Sequence, residues 1–259
     1  MSGAWSRKWS AASRAIATSF DFMKKILSRT LGVLAVVAAL FQVGCASSGG
    51  GADPRRPQGF NTVVVDPGHG GKDSGGHGNG LVEKQLTLDT AKLLENDLRA
   101  DGFRVVMTRN DDRFYLLDER VAMANGQRGN NAILVSVHYD ASGRNASGVT
   151  TFYWRTDSHG LATRVQRALV AETGLPSVGV VRRRLRVTRN PDVPCLLVEC
   201  GYMTNKSDAA KISQPAFRAR IAAGIAKGIR EQQAQGDAGI PSVPELNEPL
   251  SQASDRREY

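Results

Sequence analysis

VVVDPGHGGKD, residues 63–73, is the stretch whose reading decides how this chain is built. Its opening run of valines is too apolar for a strand with one face in water, so both faces should be covered. Asp66-Pro67 then stops the run, and the glycines on either side of His69 let the backbone turn tightly. A buried strand that ends in such a loop can aim an imidazole into a crevice.

Outward from that stretch, short apolar runs alternate with helical patterns. Strands are predicted at 62–66, 103–108, 132–137, 149–154, 185–188 and 194–199, and helices at 83–100, 118–125, 158–172, 205–212 and 215–233. The first helix sets Leu86, Leu93, Leu94 and Leu98 on one stripe and runs out at Gly102, a suitable residue just past a helix end. This order implies an α/β fold, a single domain with a mostly parallel, about six-stranded central sheet flanked by helices. Ligands of such sheets bind outside the carboxyl ends of the strands. His69, His138 (in LVSVHYDAS) and Glu199 (in LLVECGY) fall at such ends, and Glu83 (in GLVEKQ) opens the first helix.

Two imidazoles with one carboxylate form the ligand set of a catalytic zinc site that keeps a position open for water, and a further carboxylate can then serve as general base. Each residue also has a plainer reading. Glu83 would complement a helix dipole, and His138 could be a buried histidine bonded to backbone. Glu199 is harder to dismiss, because it closes an apolar run where an unpartnered carboxylate costs several kcal/mol to desolvate. His77 reads as a solvated loop residue and His159 as a surface residue at a helix start. Cys195 and Cys200 stand five apart in one strand and point to opposite faces, so neither a bridge between them nor a ligand role is expected.

The ends of the chain carry other signals. Residues 1–44 read as a leader, with Met23-Lys24-Lys25 opening a signal peptide and LGVLAVVAALFQV, residues 31–43, as its apolar core, too short to span a bilayer. Gly44-Cys45-Ala46-Ser47 resembles a bacterial lipoprotein cleavage site, although Gln42 stands where an apolar residue is usual. Lipidation of Cys45 would tether the protein to a membrane, and Ala46 after it resembles outer-membrane sorting, so the expected location is the periplasm. Residues 45–59, rich in Gly, Pro and Ser, read as a flexible linker, 60–235 as the catalytic domain, and 236–259 as a disordered tail. The net charge of +9 owes five units to the leader, and the body of the chain holds no basic run with interleaved aromatics, so no nucleic-acid partner is expected.

His69, Glu83, His138 and Glu199, in this order and spacing, resemble the zinc-dependent N-acetylmuramoyl-L-alanine amidases of the amidase 3 family. The resemblance spans residues 61–230 and includes Met107-Thr108-Arg109, Asp118-Glu119-Arg120-Val121 and Gly201-Tyr202-Met203-Thr204-Asn205. It implies His69, Glu83 and His138 as zinc ligands, Glu199 as the catalytic glutamate, and peptidoglycan as substrate. Arg109 and Arg120 read as loop or ion-pair residues, and Asn205 with Asp208 as a helix cap. Some relatives carry a regulatory helix between the second histidine and the last glutamate; residues 142–194 are filled here by other elements, so no activator is expected. A zinc peptidase of wall peptides, or a non-catalytic wall-binding lipoprotein, are the alternative readings.

Overall fold

A computed structural model describes residues 59–143 and 145–243. The leader, Cys45 and the linker up to Gln58 lie outside the described residues, as does the tail beyond Val243.

The chain order is β1 (Thr62–Pro67), a short hairpin of β2 (His77–Gly78) and β3 (Leu81–Val82), α1 (Glu83–Ala100), β4 (Arg104–Met107), α2 (Leu117–Asn125) and β5 (Ala132–Asp140). It continues with β6 (Val149–Tyr153), α3 (His159–Thr173), β7 (Ser177–Arg182), α4 (Arg186–Arg189), β8 (Cys195–Tyr202), α5 (Lys206–Ile212) and α6 (Pro215–Gln235). Six strands form one sheet in the order β4-β1-β5-β8-β6-β7. The first four are parallel; β6 runs antiparallel to β8 and carries β7 parallel to itself. The mostly parallel sheet expected from the sequence is therefore present, with a reversed pair at one edge. Register sets His138 directly opposite Glu199, so two of the expected site residues leave the sheet side by side.

Alternation along the strands divides the core into two unequal layers. Val63, Val65, Ile133, Val135, Val137, Leu196 and Val198 face one way and pack with Leu94 and Leu98 of α1, Leu161 and Val165 of α3, and Ile221 and Ile225 of α6 in one large cluster. Val64, Leu134 and Cys195 face the other way, in a small cluster with Ala124 of α2. Among the buried polar groups beside this thinner layer, Asp66 accepts from Arg120 at 2.7 Å, Thr108 at 2.5 Å and Ser136 at 2.7 Å. Burial alone would raise the Asp66 carboxyl, but the Arg120 charge and these hydrogen bonds outweigh it and hold it below its ordinary value.

Two expectations about the fold need correction. Residues 185–188 are not a strand: Leu185 O accepts from Thr188 N and Arg189 N, and Val187 is buried in the helical turn α4. Four residues are too few for a period to declare itself, and Thr188 Oγ1 donates to the Arg183 and Leu185 carbonyls, a local option that favours a turn. The edge strand is instead β7, where Gly179 at φ 131 and a register shift at Val149/Thr150 broke the pattern. The tail also does not leave the domain at Gly236, since Arg164 donates to the carbonyls of Gly236 and Ala238, and Val243 packs against the large cluster.

Candidate active site

His69, Glu83 and His138 converge although they come from three separate elements. The loop after β1 supplies His69, the first residue of α1 supplies Glu83, and β5 supplies His138. One ligand atom from each lies within 4.8 Å of the others. The Glu83 carboxylate bridges the rings, with Oε2 3.0 Å from His69 Nε2 and Oε1 2.9 Å from His138 Nδ1. It also accepts from the Gly76 and Tyr139 amides at 2.7 and 3.1 Å. Burial opposes its charge, yet the hydrogen bonds to His138 and His69 win, holding the carboxyl far below the usual carboxylate range. On His69, burial lowers the imidazole pKa, whereas Glu83 and Asp73 raise it by more, so the net shift is upward.

Backbone and small residues make this convergence possible. His69 sits at φ 61, the left-handed region, where Gly70 and Asp73 on either side of the turn exchange two backbone hydrogen bonds. A Cβ on Gly75 would lie 2.6 Å from both Glu83 Oε2 and His69 Cδ2, so only glycine fits there. The loop is pinned from below, as expected of Arg109 and Arg120. Arg120 donates to the Pro67 and His69 carbonyls at 2.7 Å, and Arg109 donates to the Pro67, Gly68 and Lys84 carbonyls at 2.7 to 3.0 Å. Asp73 was not singled out in the sequence. Its Oδ2 lies 2.8 Å from His69 Nδ1, which fixes the ring so that Nε2 faces the cluster. The only signal would have been a carboxylate four residues after a histidine in a glycine-rich loop.

Glu199 emerges from β8 beside His138. Its Oε2 is buried without a hydrogen-bond partner among the described residues. Burial pushes its carboxyl well above the ordinary range, with Glu83 and Asp140 adding to the rise and Arg183 opposing it. Cys195 and Cys200 are free thiols; burial raises the former to about 12, and its Sγ is spent on the Thr188 carbonyl. His77 is exposed on β2 and bonds Ser74, while His159 is half-buried against the Tyr153 ring rather than fully at the surface. Asn205 caps α5 by accepting from Ser207 N and Asp208 N.

Two imidazole nitrogens and one anionic oxygen, with a carboxyl atom left unpartnered alongside, are a donor set that suits a divalent cation with a water site next to it. Gathered at the carboxyl ends of the parallel strands of an α/β sheet, where ligands of such sheets bind, this set could hold a metal ion. Comparison with known proteins narrows the reading. The family model for N-acetylmuramoyl-L-alanine amidase (Amidase_3) matches residues 63–231, and the chain belongs to this family of hydrolases. It is 37% identical over 172 residues to the N-acetylmuramoyl-L-alanine amidase LytC of Bacillus subtilis, covering 64% of this chain and 34% of LytC. It is 36% identical to B. subtilis YqiI, covering 65% of this chain and 82% of that protein. The chain thus spans about a third of LytC but most of YqiI. Among solved structures it resembles an N-acetylmuramoyl-L-alanine amidase of Clostridium difficile 630, with TM-score 0.65, 33% identity and coverage of 69% of this chain and 99% of that one. The catalytic domain of the amidase CwlV from Bacillus (Paenibacillus) polymyxa var. colistinus gives TM-score 0.64 and 35% identity, covering 68% and 99%.

Proposed function

We propose that this chain is a zinc-dependent N-acetylmuramoyl-L-alanine amidase that hydrolyses the amide between the lactyl group of N-acetylmuramic acid and L-alanine of the peptidoglycan stem peptide. The observation that carries the reading is the convergence of His69, Glu83 and His138 with the unpartnered Oε2 of Glu199 beside them. His69, Glu83 and His138 would hold the ion; when bound, zinc supplies Lewis acidity to the attacking water and the scissile carbonyl. Asp73 keeps the His69 ring in the orientation that presents Nε2, and Arg109 and Arg120 keep its loop in place. Glu199 accepts the proton of the attacking water and delivers it to the nitrogen of the leaving alanine, whose amide bond breaks as the new carbon–oxygen bond forms. No covalent intermediate with the protein is required.

The test is digestion of peptidoglycan by the purified protein, with zinc and with a chelator, followed by mass spectrometry of released fragments. Chelator-sensitive release of intact stem peptides with N-terminal L-alanine is expected. Trimmed peptides would replace this reading by the peptidase one, and no release even when the other proteins of the cell envelope are added would overturn it. We further propose that turnover needs no activating partner, since residues 142–194 are taken up by β6, α3, β7 and α4; silence until a second protein is added would refute this. Export and anchoring through a lipid at Cys45, on the periplasmic side of the outer membrane, complete the proposal. Labelled fatty acid that is incorporated by the parent and lost in Cys45→Ser is the expected result.

A further inference from the structure

Five arginines stand between residues 182 and 189, and their surroundings differ. Arg182 and Arg184 lie over the Trp154 ring, at 4.8 and 5.6 Å from its centre, and Arg182 also donates to the Trp154 carbonyl. Arg186 pairs with Asp118. Arg183 is exposed, and among the described residues its guanidinium meets no carboxylate; it rests 5.3 Å from the centre of the Phe152 ring. Its backbone is fixed, donating to the Tyr153 carbonyl and accepting from Leu185 N and Thr188 Oγ1. An unpaired cation on a rigid mount, stacked on an aromatic ring, is ready to bind a carboxylate in a bidentate fork.

Register places this cation relative to Glu199. Thr150 of β6 stands opposite Glu199, and Phe152 opposite Leu197, so Phe152 and Glu199 project from the same face of the sheet. Phe152 also pairs with Val181 of β7, and Arg183 follows two residues later on the same side. The level of Phe152 is two residues from Glu199, about 7 Å at roughly 3.3 Å per residue. The electrostatic influence of Arg183 on Glu199 agrees with a guanidinium reaching back along this face. An extended peptide spans about 3.3–3.6 Å per residue, so a chain leaving Glu199 toward Phe152 brings its second residue to the Arg183 guanidinium. In a peptidoglycan stem that residue is a γ-linked glutamyl unit, whose α-carboxyl is either free or amidated.

We infer that Arg183, seated on Phe152, binds the free α-carboxylate of the second residue of the leaving peptide and thereby sets which stem chemistry the enzyme prefers. The inference rests on the amidase reading above. Its geometry is independent of the ligand cluster.

The experiment uses the full chain with zinc and two muramoyl peptides that differ only in a free or amidated α-carboxyl on the second residue. The parent enzyme should favour the free acid in kcat/KM by roughly tenfold to a hundredfold, the size expected of a charge-assisted hydrogen-bonded pair. Arg183→Gln should erase that preference, the ratio of kcat/KM for acid over amide falling to about one; loss of the Arg183 charge beside Glu199 acts on both peptides alike and cancels in this ratio. The variant's thermal midpoint and zinc content should match the parent, which reports on its fold. Arg183→Lys should keep part of the preference. A parent enzyme that cleaves both peptides equally well, or an Arg183→Gln enzyme that retains the preference, overturns the inference while leaving the amidase reading intact. The same holds if amidation of a carboxylate further along the stem, rather than at the second residue, mimics the variant. Cleavage of neither peptide by the parent removes the amidase reading and this inference together.

Discussion

The two faces of the sheet are built from the same strands but do opposite work. One buries a large apolar cluster under α1, α3 and α6. The other has a small apolar cluster and a buried ionic lattice of Asp66 and Arg120, and it projects His138 and Glu199. Apolar packing is non-directional and tolerant, so it suits a layer whose task is stability. Directional hydrogen bonds hold a loop to within a fraction of an ångström, which a ligand cluster demands. The contrast suggests that changes on the first face should alter stability alone, whereas changes on the second can separate stability from chemistry.

The largest expected effect is on the second face. Glu199→Gln should lower kcat by roughly two to four orders of magnitude, the range of general acid–base catalysis, while zinc content by atomic spectroscopy and the thermal midpoint stay near the parent. Retained turnover would remove Glu199 from the chemistry. Arg120→Leu comes next, since it leaves Asp66 as an uncompensated buried charge and should destabilise by about 3–5 kcal/mol in denaturant unfolding. The pH dependence gives a sharper test of that lattice. Asp66 is held below its ordinary 3.8, so its contribution is fully present above about pH 4 and is lost as pH falls through the lower folded value. The parent should therefore lose this contribution on acidification, and an Arg120→Leu/Asp66→Asn double variant should lack that part of the slope. An unchanged acid limb would show that the lattice does not couple to folding.

On the apolar face, Leu94→Ala should destabilise by about 2–5 kcal/mol through the cavity it leaves, with kcat per folded molecule unchanged. A fall in kcat at temperatures where the variant is folded would blur the division between the faces. The smallest effect is expected at the cap of α5, where Asn205 belongs to neither apolar cluster. Asn205→Ala should cost about 1 kcal/mol by losing two accepted hydrogen bonds, read as a shift of the unfolding midpoint without a change in KM.

The sequence told more about the long elements than about the short ones. α1 was legible to its ends because an apolar stripe, an acidic first turn and Gly102 all agree on its limits. The strands β1, β5 and β8 were legible because continuous apolar runs admit few other fates, and His69, His138 and Glu199 were singled out as polar residues that end such runs. By contrast β7 and α4 exchanged places, because a glycine interrupts one and four residues of Leu-Arg-Val-Thr resemble strand in the other. The β2–β3 hairpin was invisible for the same reason, with two residues in each strand. Asp73 went unnoticed because its role depends on a turn that brings residues 69 and 73 together, and spacing alone does not reveal that turn.

The left-handed backbone at His69 has a consequence for how this protein can change. A left-handed conformation costs a residue with a Cβ on the order of 1 kcal/mol, and glycine escapes that penalty. Position 69 is therefore one at which backbone comfort and ring chemistry pull apart. The imidazole offsets that cost through its contacts with Glu83 and Asp73, so glycine there would relax the backbone but leave the buried Glu83 carboxylate short of a partner. The loop of residues 68–71 is thus a point where one side chain serves robustness and usefulness together, and neither can be given up alone.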